Sequence, residues 1–355
     1  MTPTEMTVSP ATFGIWTELR PAPGRQPDPA YYNERLEEAV LAEQLGFAAV
    51  WGSEHHAVED AHLTQQLPYL AAVAARTERV RVGTGVLLLP LYRPRDVAEQ
   101  AGVVDLLSGG RLLLGFGAGY VEREFDAYGI DRGQRGRLLE EKVAWLRRAF
   151  AEGVAADGPD GTDLPVRPRP AQEGGPPIYL GGTAPRALDR VARIADGWFA
   201  LAHFRWQRTA EQYPLLRAAL ERAGRSPDGF PIVVGVHLRV SDDPERTWET
   251  ELAPAIAYQI DRYNDWATDR GKPRPAPIEV ARLKRSAVFC DTAEGVVAAL
   301  RAFQARLPFT HVALWSRPPG VSHEAACANL ERVAREVAPA FAPAGEGERP
   351  RWRQR

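Results

Sequence analysis

The chain of 355 residues alternates, eight times over, between a short aliphatic or β-branched run and a longer segment with helical spacing of its apolar residues. Short apolar runs predict buried strands, and apolar residues three and four positions apart predict amphipathic helices. The predicted strands cover residues 13–16, 48–51, 80–89, 111–116, 178–180, 197–201, 231–236 and 311–315. Because eight strand–helix units close a barrel, we predict an α/β fold, a single-domain (β/α)8 TIM barrel over residues 12–340. An open doubly wound sheet is the alternative, and the absence of a GxGxxG motif after the first strand disfavours it.

The predicted helices begin and end at residue types that favour helix termini. Gly46 stops the first helix, which begins at Pro29, and Pro185 opens a later one, where its missing N–H costs nothing. On the first helix, the spacing places Leu36, Ala39, Val40 and Leu45 on one face. The other predicted helices cover residues 66–75, 95–107, 137–150, 185–194, 206–223, 292–305 and 323–337.

Three stretches fall outside this alternation. Residues 153–177 are rich in Pro, Gly and Asp and predict a surface excursion, and residues 341–355 predict a flexible C-terminal tail. Residues 241–286 form an insertion after the seventh strand, with a helical pattern over 247–266. Its Tyr258, Tyr263 and Trp266 make it a candidate lid or substrate wall, and a packed surface helix is the alternative.

Charge and cysteine content exclude several classes of protein. Forty-six acidic residues balance 44 basic ones, so no concentrated basic surface for nucleic acid is expected. Cys290 and Cys327 are too few and too far apart for a disulfide framework or a zinc site. No run approaches the roughly 18 apolar residues of a membrane span, and residues 1–10 lack the pattern of a signal peptide. We therefore expect a cytoplasmic enzyme without membrane or nucleic-acid partners.

Polar residues follow the second strand, where the chemistry of such barrels is placed. Glu54, His55 and His56 come directly after it. Histidine titrates near neutrality and passes protons at working pH, so these three are the candidate catalytic residues. The alternative is that Glu54 and one histidine pair with the loop backbone. The order lacks HExxH spacing, so no metal site is predicted.

Glycines follow the third and fourth strands. Gly83 and Gly85 interrupt the third, while Gly117 and Gly119 flank Ala118 where the fourth opens into a loop. Glycine inside a strand marks a bulge or a close backbone approach by a ligand. A barrel-closing kink and a tight turn are the alternatives.

The fifth strand is followed by Gly181, Gly182 and Thr183, directly ahead of a helix. Exposed backbone N–H groups, a hydroxyl and a helix N-terminus form an anion site. The alternative is an ordinary cap, with Thr183 bonded to the first turn of the helix. His203 and His237, after the sixth and seventh strands, are expected to be structural.

Four segments stand in one order along the chain: LGFAAVWGSEHH at 45–56; VGTGVLLLP at 82–90; DLLSGGR at 105–111 with GFGAGY at 115–120 and EF at 124–125; and IYLGGT at 178–183 with ADGW at 195–198. Together they resemble the bacterial luciferase-like superfamily of flavin-dependent monooxygenases. The resemblance covers about 13–201 and, more loosely, 287–315.

The resemblance implies an isoalloxazine ring across the barrel mouth, against a non-proline cis peptide that maps to Gly85–Val86. The catalytic histidine maps to His55. The implied cofactor-binding residues are Thr84, Gly85, Val86, Gly117, Ala118, Gly119, Gly181, Gly182 and Thr183. Where luciferase has a reactive cysteine followed by a phosphate-binding arginine, this chain has Gly117-Ala118. Arg186 is the candidate replacement, and the difference argues against light emission.

The resemblance leaves three functional hypotheses. The first is a two-component monooxygenase that takes reduced FMN from a separate NAD(P)H:flavin reductase and uses O2 on an organic substrate, with Glu54 or His56 orienting His55. The second is hydride transfer with a 5-deazaflavin coenzyme and no oxygen; the His-His pair leans toward FMN. The third is a flavin-binding barrel without catalysis. A homodimer through the helices at 66–75 and 95–107 is also expected.

Overall fold

A computed structural model describes residues 10–343, apart from 203, 269–272, 274–275, 278 and 283–284. Eight parallel strands close a barrel in the order β1-β8-β7-β6-β5-β4-β3-β2. Their bounds are β1 Thr12–Thr17, β2 Ala49–Gly52, β3 Arg81–Thr84, β4 Leu112–Phe116, β5 Ile178–Gly181, β6 Gly197–Leu201, β7 Ile232–Val236 and β8 His311–Trp315. The prediction of a (β/α)8 TIM barrel is confirmed.

Helices surround the barrel. They are α1 Pro29–Gln44, α2 Gln66–Arg76, α3 Pro94–Leu107, α4 Glu122–Ala127, α5 Arg135–Glu152, α6 Pro185–Ile194, α7 Trp206–Ala210, α8 Tyr213–Arg222, α9 Pro244–Thr247, α10 Ala253–Ala267, α11 Ala293–Gln304 and α12 His323–Arg332. The excursion at 153–177 contains a short antiparallel hairpin, Val154–Ala156 with Asp163–Pro165. Among the described residues, none of the helices has the length and apolarity needed to cross a bilayer.

Large aromatic side chains fill the interior of the barrel. Alternate residues of each strand point inward, and they include Trp16, Trp51, Tyr179, Phe199 and Trp315. The rings of Trp16 and Trp315 lie 4.3 Å apart, and those of Trp51 and Phe199 lie 5.2 Å apart. The barrel is therefore a packed core below its mouth.

Gly83 makes room for this packing. A Cβ at Gly83 would overlap the ring of Trp51, which lies on the neighbouring strand. Glycine is therefore required at position 83 by the packing of the barrel core. The sequence alone had suggested only a ligand approach or a kink for the glycines of this strand.

The third strand is shorter than predicted. It ends at Thr84. The Gly85–Val86 peptide bond that follows is cis, as the resemblance implied, and a 3-10 turn comes next at Leu89–Leu91. The helix predicted over 206–223 is likewise two helices, α7 and α8. Pro214 lies in the first turn of α8, where a residue without an N–H is tolerated. The same residue in the interior of one continuous helix would remove a hydrogen bond.

The predicted apolar face of α1 packs on the core in part: Ala39 is buried, and Leu36 and Leu45 contact the core. The buried residues are Arg35, Glu38, Ala39 and Ala42, whereas Leu36, Val40 and Leu45 are only half-buried. Arg35 Nη1 lies 2.9 Å from Glu38 Oε2. Burial of this charged pair is tolerated because each charge meets its opposite, a pairing that apolar periodicity does not reveal.

Candidate active site

The ends of β3, β4 and β5 meet around the side chain of Val86. A Cβ at Gly117 would lie 2.6 Å from Val86 Cγ2, and one at Gly181 would lie 3.4 Å from Val86 Cγ1. Val86 itself is half-buried, as are Ala118 and Gly119. Gly85, Gly117 and Gly181, which were predicted from three separate motifs, therefore lie around Val86 at the mouth. We call these three glycines the glycine rim.

Hydrogen bonds fix the backbone beneath this rim. Gly85 N–H donates to the Gly52 carbonyl (2.6 Å), and Trp16 Nε1–H donates to the Gly85 carbonyl (2.7 Å). The Thr84 hydroxyl donates to the Gly115 carbonyl and accepts from Gly115 N–H, both at 2.8 Å. Thr84 is fully buried. Its hydroxyl is therefore engaged in joining β3 to β4.

His55 is held at the mouth by a buried carboxylate. Its Nδ1 lies 2.9 Å from Glu124 Oε1, which also accepts from the backbone N–H of His56 at 2.8 Å. Glu124 is fully buried on α4. An anionic carboxylate only accepts, so Nδ1 carries the proton and Nε2 of the neutral ring is left as an acceptor. Sequence reasoning missed this partner, although Glu124 stood in one of the family-like segments.

Glu54 and His56 contact each other rather than His55. Glu54 Oε1 lies 3.0 Å from His56 Nε2 and accepts from Leu88 N–H at 3.0 Å. The hydroxyls of Tyr92 and Tyr128 lie 3.1 Å from His56 Nε2 and 3.0 Å from its Nδ1. Both nitrogens of His56 therefore have protein partners.

Two aromatic side chains of the insertion cover His55. The ring of Trp266 lies 4.7 Å from the His55 ring, and that of Tyr263 lies 5.6 Å away. Tyr258, also predicted as a wall residue, instead lies under the guanidinium of Arg262 at 5.8 Å. Helix α10 is thus a packed helix, and it also covers the mouth of the barrel next to His55.

A buried cluster of charges joins α10 to the barrel. The guanidinium of Arg20 stacks on Trp266 and Tyr263, at 4.8 and 5.2 Å. It lies 3.4 Å from Glu18 and 3.0 Å from Asp60, and Glu18 accepts from Gln259 Nε2 of α10 at 2.8 Å.

Burial shifts the pKa values of two groups in this cluster. It raises the pKa of Glu18, against the opposing effect of Arg20. Burial, helped by the positive charge of Arg20, lowers the pKa of His62 well below its usual value. His62 is therefore neutral at physiological pH.

No side chain in the described part of the chain caps the N-terminus of α6. The alternative assignment of Thr183 as the cap is wrong: Ala184 occupies that position, and Thr183 is exposed. Gly182 adopts φ +117°, a conformation that side chains rarely permit. Arg186 is exposed and makes no ion pair within the described part of the chain. These residues fit an anionic group, and the glycine rim beside them fits the backbone approach of a flat ring.

Other candidates do not join the site. Within the described ranges, no group of three or more His, Cys, Asp or Glu side chains is placed to hold a metal ion. His237 stacks on Trp315 at 4.9 Å inside the barrel, and His203 lies outside the described residues. Burial raises the pKa of the Cys290 thiol to about 12 and that of Cys327 to about 11. Both remain protonated thiols at neutral pH.

A parallel barrel with a cis peptide at Gly85–Val86, glycines around it and His55 at its mouth is the architecture expected from the luciferase resemblance. The sequence profile described as luciferase-like monooxygenase matches residues 11–312. The chain belongs to this family.

Relatives within the family use two kinds of cofactor. The oxygenase component of flavin-dependent trigonelline monooxygenase from Acinetobacter baylyi is 23% identical over 93% of this chain and 95% of its own length. An F420-dependent glucose-6-phosphate dehydrogenase from Microbacterium testaceum is 31% identical over 61% of this chain and 67% of its own. The chain also spans about half of uncharacterized protein y4vJ from Sinorhizobium fredii, with 30% identity. The chain thus belongs to a family of flavin- or F420-dependent oxidoreductases.

Solved structures share the fold. Monooxygenase RslO1 from Streptomyces bottropensis superposes with a TM-score of 0.75 at 24% identity, covering 93% of this chain and all of its own. An F420-dependent secondary alcohol dehydrogenase superposes with a TM-score of 0.73 at 18% identity, covering 94% of this chain and all of its own. At these identities the likeness concerns the barrel alone.

Proposed function

We propose that this protein is the oxygenase component of a two-component monooxygenase, which uses reduced FMN from a separate NAD(P)H:flavin reductase and O2 to oxygenate a small organic substrate. The observation that carries the proposal is the His55–Glu124 pair, buried beside the glycine rim at the mouth of the barrel. The relative from Acinetobacter baylyi, named as an oxygenase component and matched along almost its whole length, supports it.

The cofactor supplies the electrons that activate oxygen. Gly181, Gly182 and Thr183 would hold its phosphate through backbone N–H groups, with Arg186 as the cation. Val86 and the glycine rim around it would contact the ring of the cofactor.

His55 would move the proton. With Nδ1–H fixed by Glu124, Nε2 is the atom that exchanges a proton with a reacting group, as acid or base. Trp266 and Tyr263 would exclude water from the space around that atom.

Hydride transfer with F420 is the second candidate. The relative from Microbacterium testaceum favours it, since its identity to this chain exceeds that of the flavin-dependent relative. The uncapped α6 N-terminus would accept the phosphate of either cofactor, so the site geometry leaves the choice to experiment.

An anaerobic titration separates the candidates. Reduced FMN and reduced F420 are each added to the purified protein, and binding is followed by the quenching of the protein's tryptophan fluorescence. Micromolar binding of FMN together with reductase-driven, O2-dependent oxygenation across a panel of organic substrates supports the proposal. Tight binding of F420 without such oxygenation overturns it.

His55→Ala tests whether the barrel is catalytic rather than a flavin carrier. Turnover should fall by about 10²-fold or more, the scale of a general acid–base residue, while FMN affinity changes little. His323→Ala, the same substitution on α12, is the control. If His55→Ala turns over at the wild-type rate, His55 has no part in the reaction.

Two further expectations belong to the proposal. Val103, Leu106 and Leu107 of α3 are exposed, at 45, 51 and 56%, which supports a homodimer through α2 and α3; light scattering of the purified protein tests it. A cytoplasmic location is expected for an enzyme supplied by a soluble reductase, and cell fractionation tests it.

A further inference from the structure

We infer that Glu54 and Gln66 are positioning residues that hold the cofactor-facing segment 85–88, and that Glu54 is not an acid or base in the reaction. The effect on cofactor binding rests on the proposed function. The effect on the segment itself does not.

The two side chains hold both ends of this segment. Glu54 Oε1 accepts from Leu88 N–H at 3.0 Å. Gln66 Oε1 accepts from Gly85 N–H at 3.1 Å, a hydrogen that Gly85 shares with the Gly52 carbonyl at 2.6 Å. Gln66 Nε2 donates to Glu54 Oε2 at 3.1 Å, which links the two. The result is a closed chain of hydrogen bonds around Val86, the residue whose side chain fills the centre of the glycine rim.

The direction of each bond is fixed. Backbone N–H groups only donate, and an ionised carboxylate only accepts, so Gln66 must turn its oxygen to Gly85 and its nitrogen to Glu54. Glu54 and Gln66 are 3% and 1% exposed. Water therefore offers no substitute for a lost partner, and an unpaired buried donor is costly.

The same contacts leave Glu54 little freedom to transfer protons. Its Oε1 receives bonds from Leu88 N–H and His56 Nε2, and its Oε2 from Gln66. Protonation would place a donor against one of these donors. His55, by contrast, bonds to Glu124 through Nδ1, and no side chain in the described ranges makes a hydrogen bond to its Nε2.

An exchange of the two side chains tests the inference. In Glu54→Gln, the new amide faces the amide of Gln66, so one donor is left unpaired. In Glu54→Gln/Gln66→Glu, the amide at 54 donates to the carboxylate at 66, which still accepts from Gly85 N–H. The double variant thus rebuilds the hydrogen-bond chain with the charge moved away from position 54.

The first readout is hydrogen–deuterium exchange of peptides covering 85–91, measured without cofactor. Glu54→Ala, which removes the one acceptor that Leu88 N–H has among the described residues, should speed exchange there about tenfold to a hundredfold. Glu54→Gln should speed it less, and the double variant should return it close to the wild-type rate. Glu59→Gln, an exposed change in the same loop, is the control. Wild-type exchange in Glu54→Ala, or no recovery in the double variant, overturns the inference.

The second readout is the dissociation constant for reduced FMN and for F420. Affinity should fall about tenfold in Glu54→Gln and recover, together with turnover, in the double variant. If Glu54 were the catalytic acid or base, affinity would recover while turnover stayed low, and the inference would be wrong. If neither the wild type nor any variant binds FMN or F420, the proposed function fails. The exchange data still decide the role of Glu54 and Gln66 in that case.

Discussion

Replacement of Glu124 tests how the site is held together. Glu124 Oε1 accepts two hydrogen bonds, from His55 Nδ1–H and from the backbone N–H of His56, and the side chain is fully buried. Glu124→Gln keeps an oxygen that can accept both bonds but removes the charge. Glu124→Ala removes the acceptor altogether. The pair of variants therefore separates the charge of this group from its hydrogen bonding.

The expected magnitudes follow from these two bonds. A hydrogen bond to a charged group contributes about 1.5–3 kcal/mol and a neutral one about 0.5–1.5 kcal/mol, so Glu124→Gln should cost about 2 kcal/mol. Glu124→Ala leaves two buried donors unpaired, at about 1–3 kcal/mol each, and should cost about 4 kcal/mol. Turnover should fall at least about tenfold in the Gln variant and about 10²-fold in the Ala variant, because His55 loses its fixed orientation.

Urea unfolding followed by tryptophan fluorescence measures the stability, and the pH profile of turnover reports on His55. A positioning role predicts a shifted pH profile in Glu124→Gln, with little change in KM. Glu59→Gln, an exposed Glu-to-Gln change, should leave both stability and profile unaltered. Wild-type stability and an unshifted profile in Glu124→Gln would refute the reasoning.

Two other predictions concern stability. Burial lowers the pKa of His62 from its usual 6.5, so its neutral form contributes stability that is present above pH 6.5 and lost as the pH falls. Between pH 6.5 and 5.5, the free energy of unfolding of the wild type should fall by about 1 kcal/mol more than that of His62→Gln. Equal losses in urea titrations would contradict this. A Cβ at Gly115 would overlap the Thr84 carbonyl oxygen, so Gly115→Ala should destabilise by about 3 kcal/mol. The same change at Gly136 in α5 meets only the end of the Arg190 side chain and should cost nothing or stabilise by up to about 1 kcal/mol; equal midpoints for the two alanine variants would show that the overlap does not matter.

Local patterns in the chain were enough to predict the barrel. Each strand is a short apolar run, and each helix begins and ends near a proline, glycine or polar residue, so both signals lie within a few neighbouring residues. Family-like segments added the cis peptide at Gly85–Val86, which the structure contains. The glycine rim also followed from sequence, because the carboxyl ends of parallel strands lie at the same end of a barrel.

Contacts between distant parts of the chain could not be read in the same way. Glu124 meets His55 across 69 positions and Gln259 meets Glu18 across 241, and no periodicity links such pairs. The buried charge of Arg35 on α1 is another case, since hydropathy places arginine at the surface.

The sequence by itself thus determined the fold, the strand ends that form the mouth, and the residue types available there. Only the tertiary structure decided how those residues divide the work: Glu124 orients His55, Glu54 binds the backbone of Leu88, and α10 covers the mouth. The physical reason is that a strand or helix is specified by its neighbours along the chain. A buried polar group, by contrast, takes whichever partner barrel closure brings within about 3 Å.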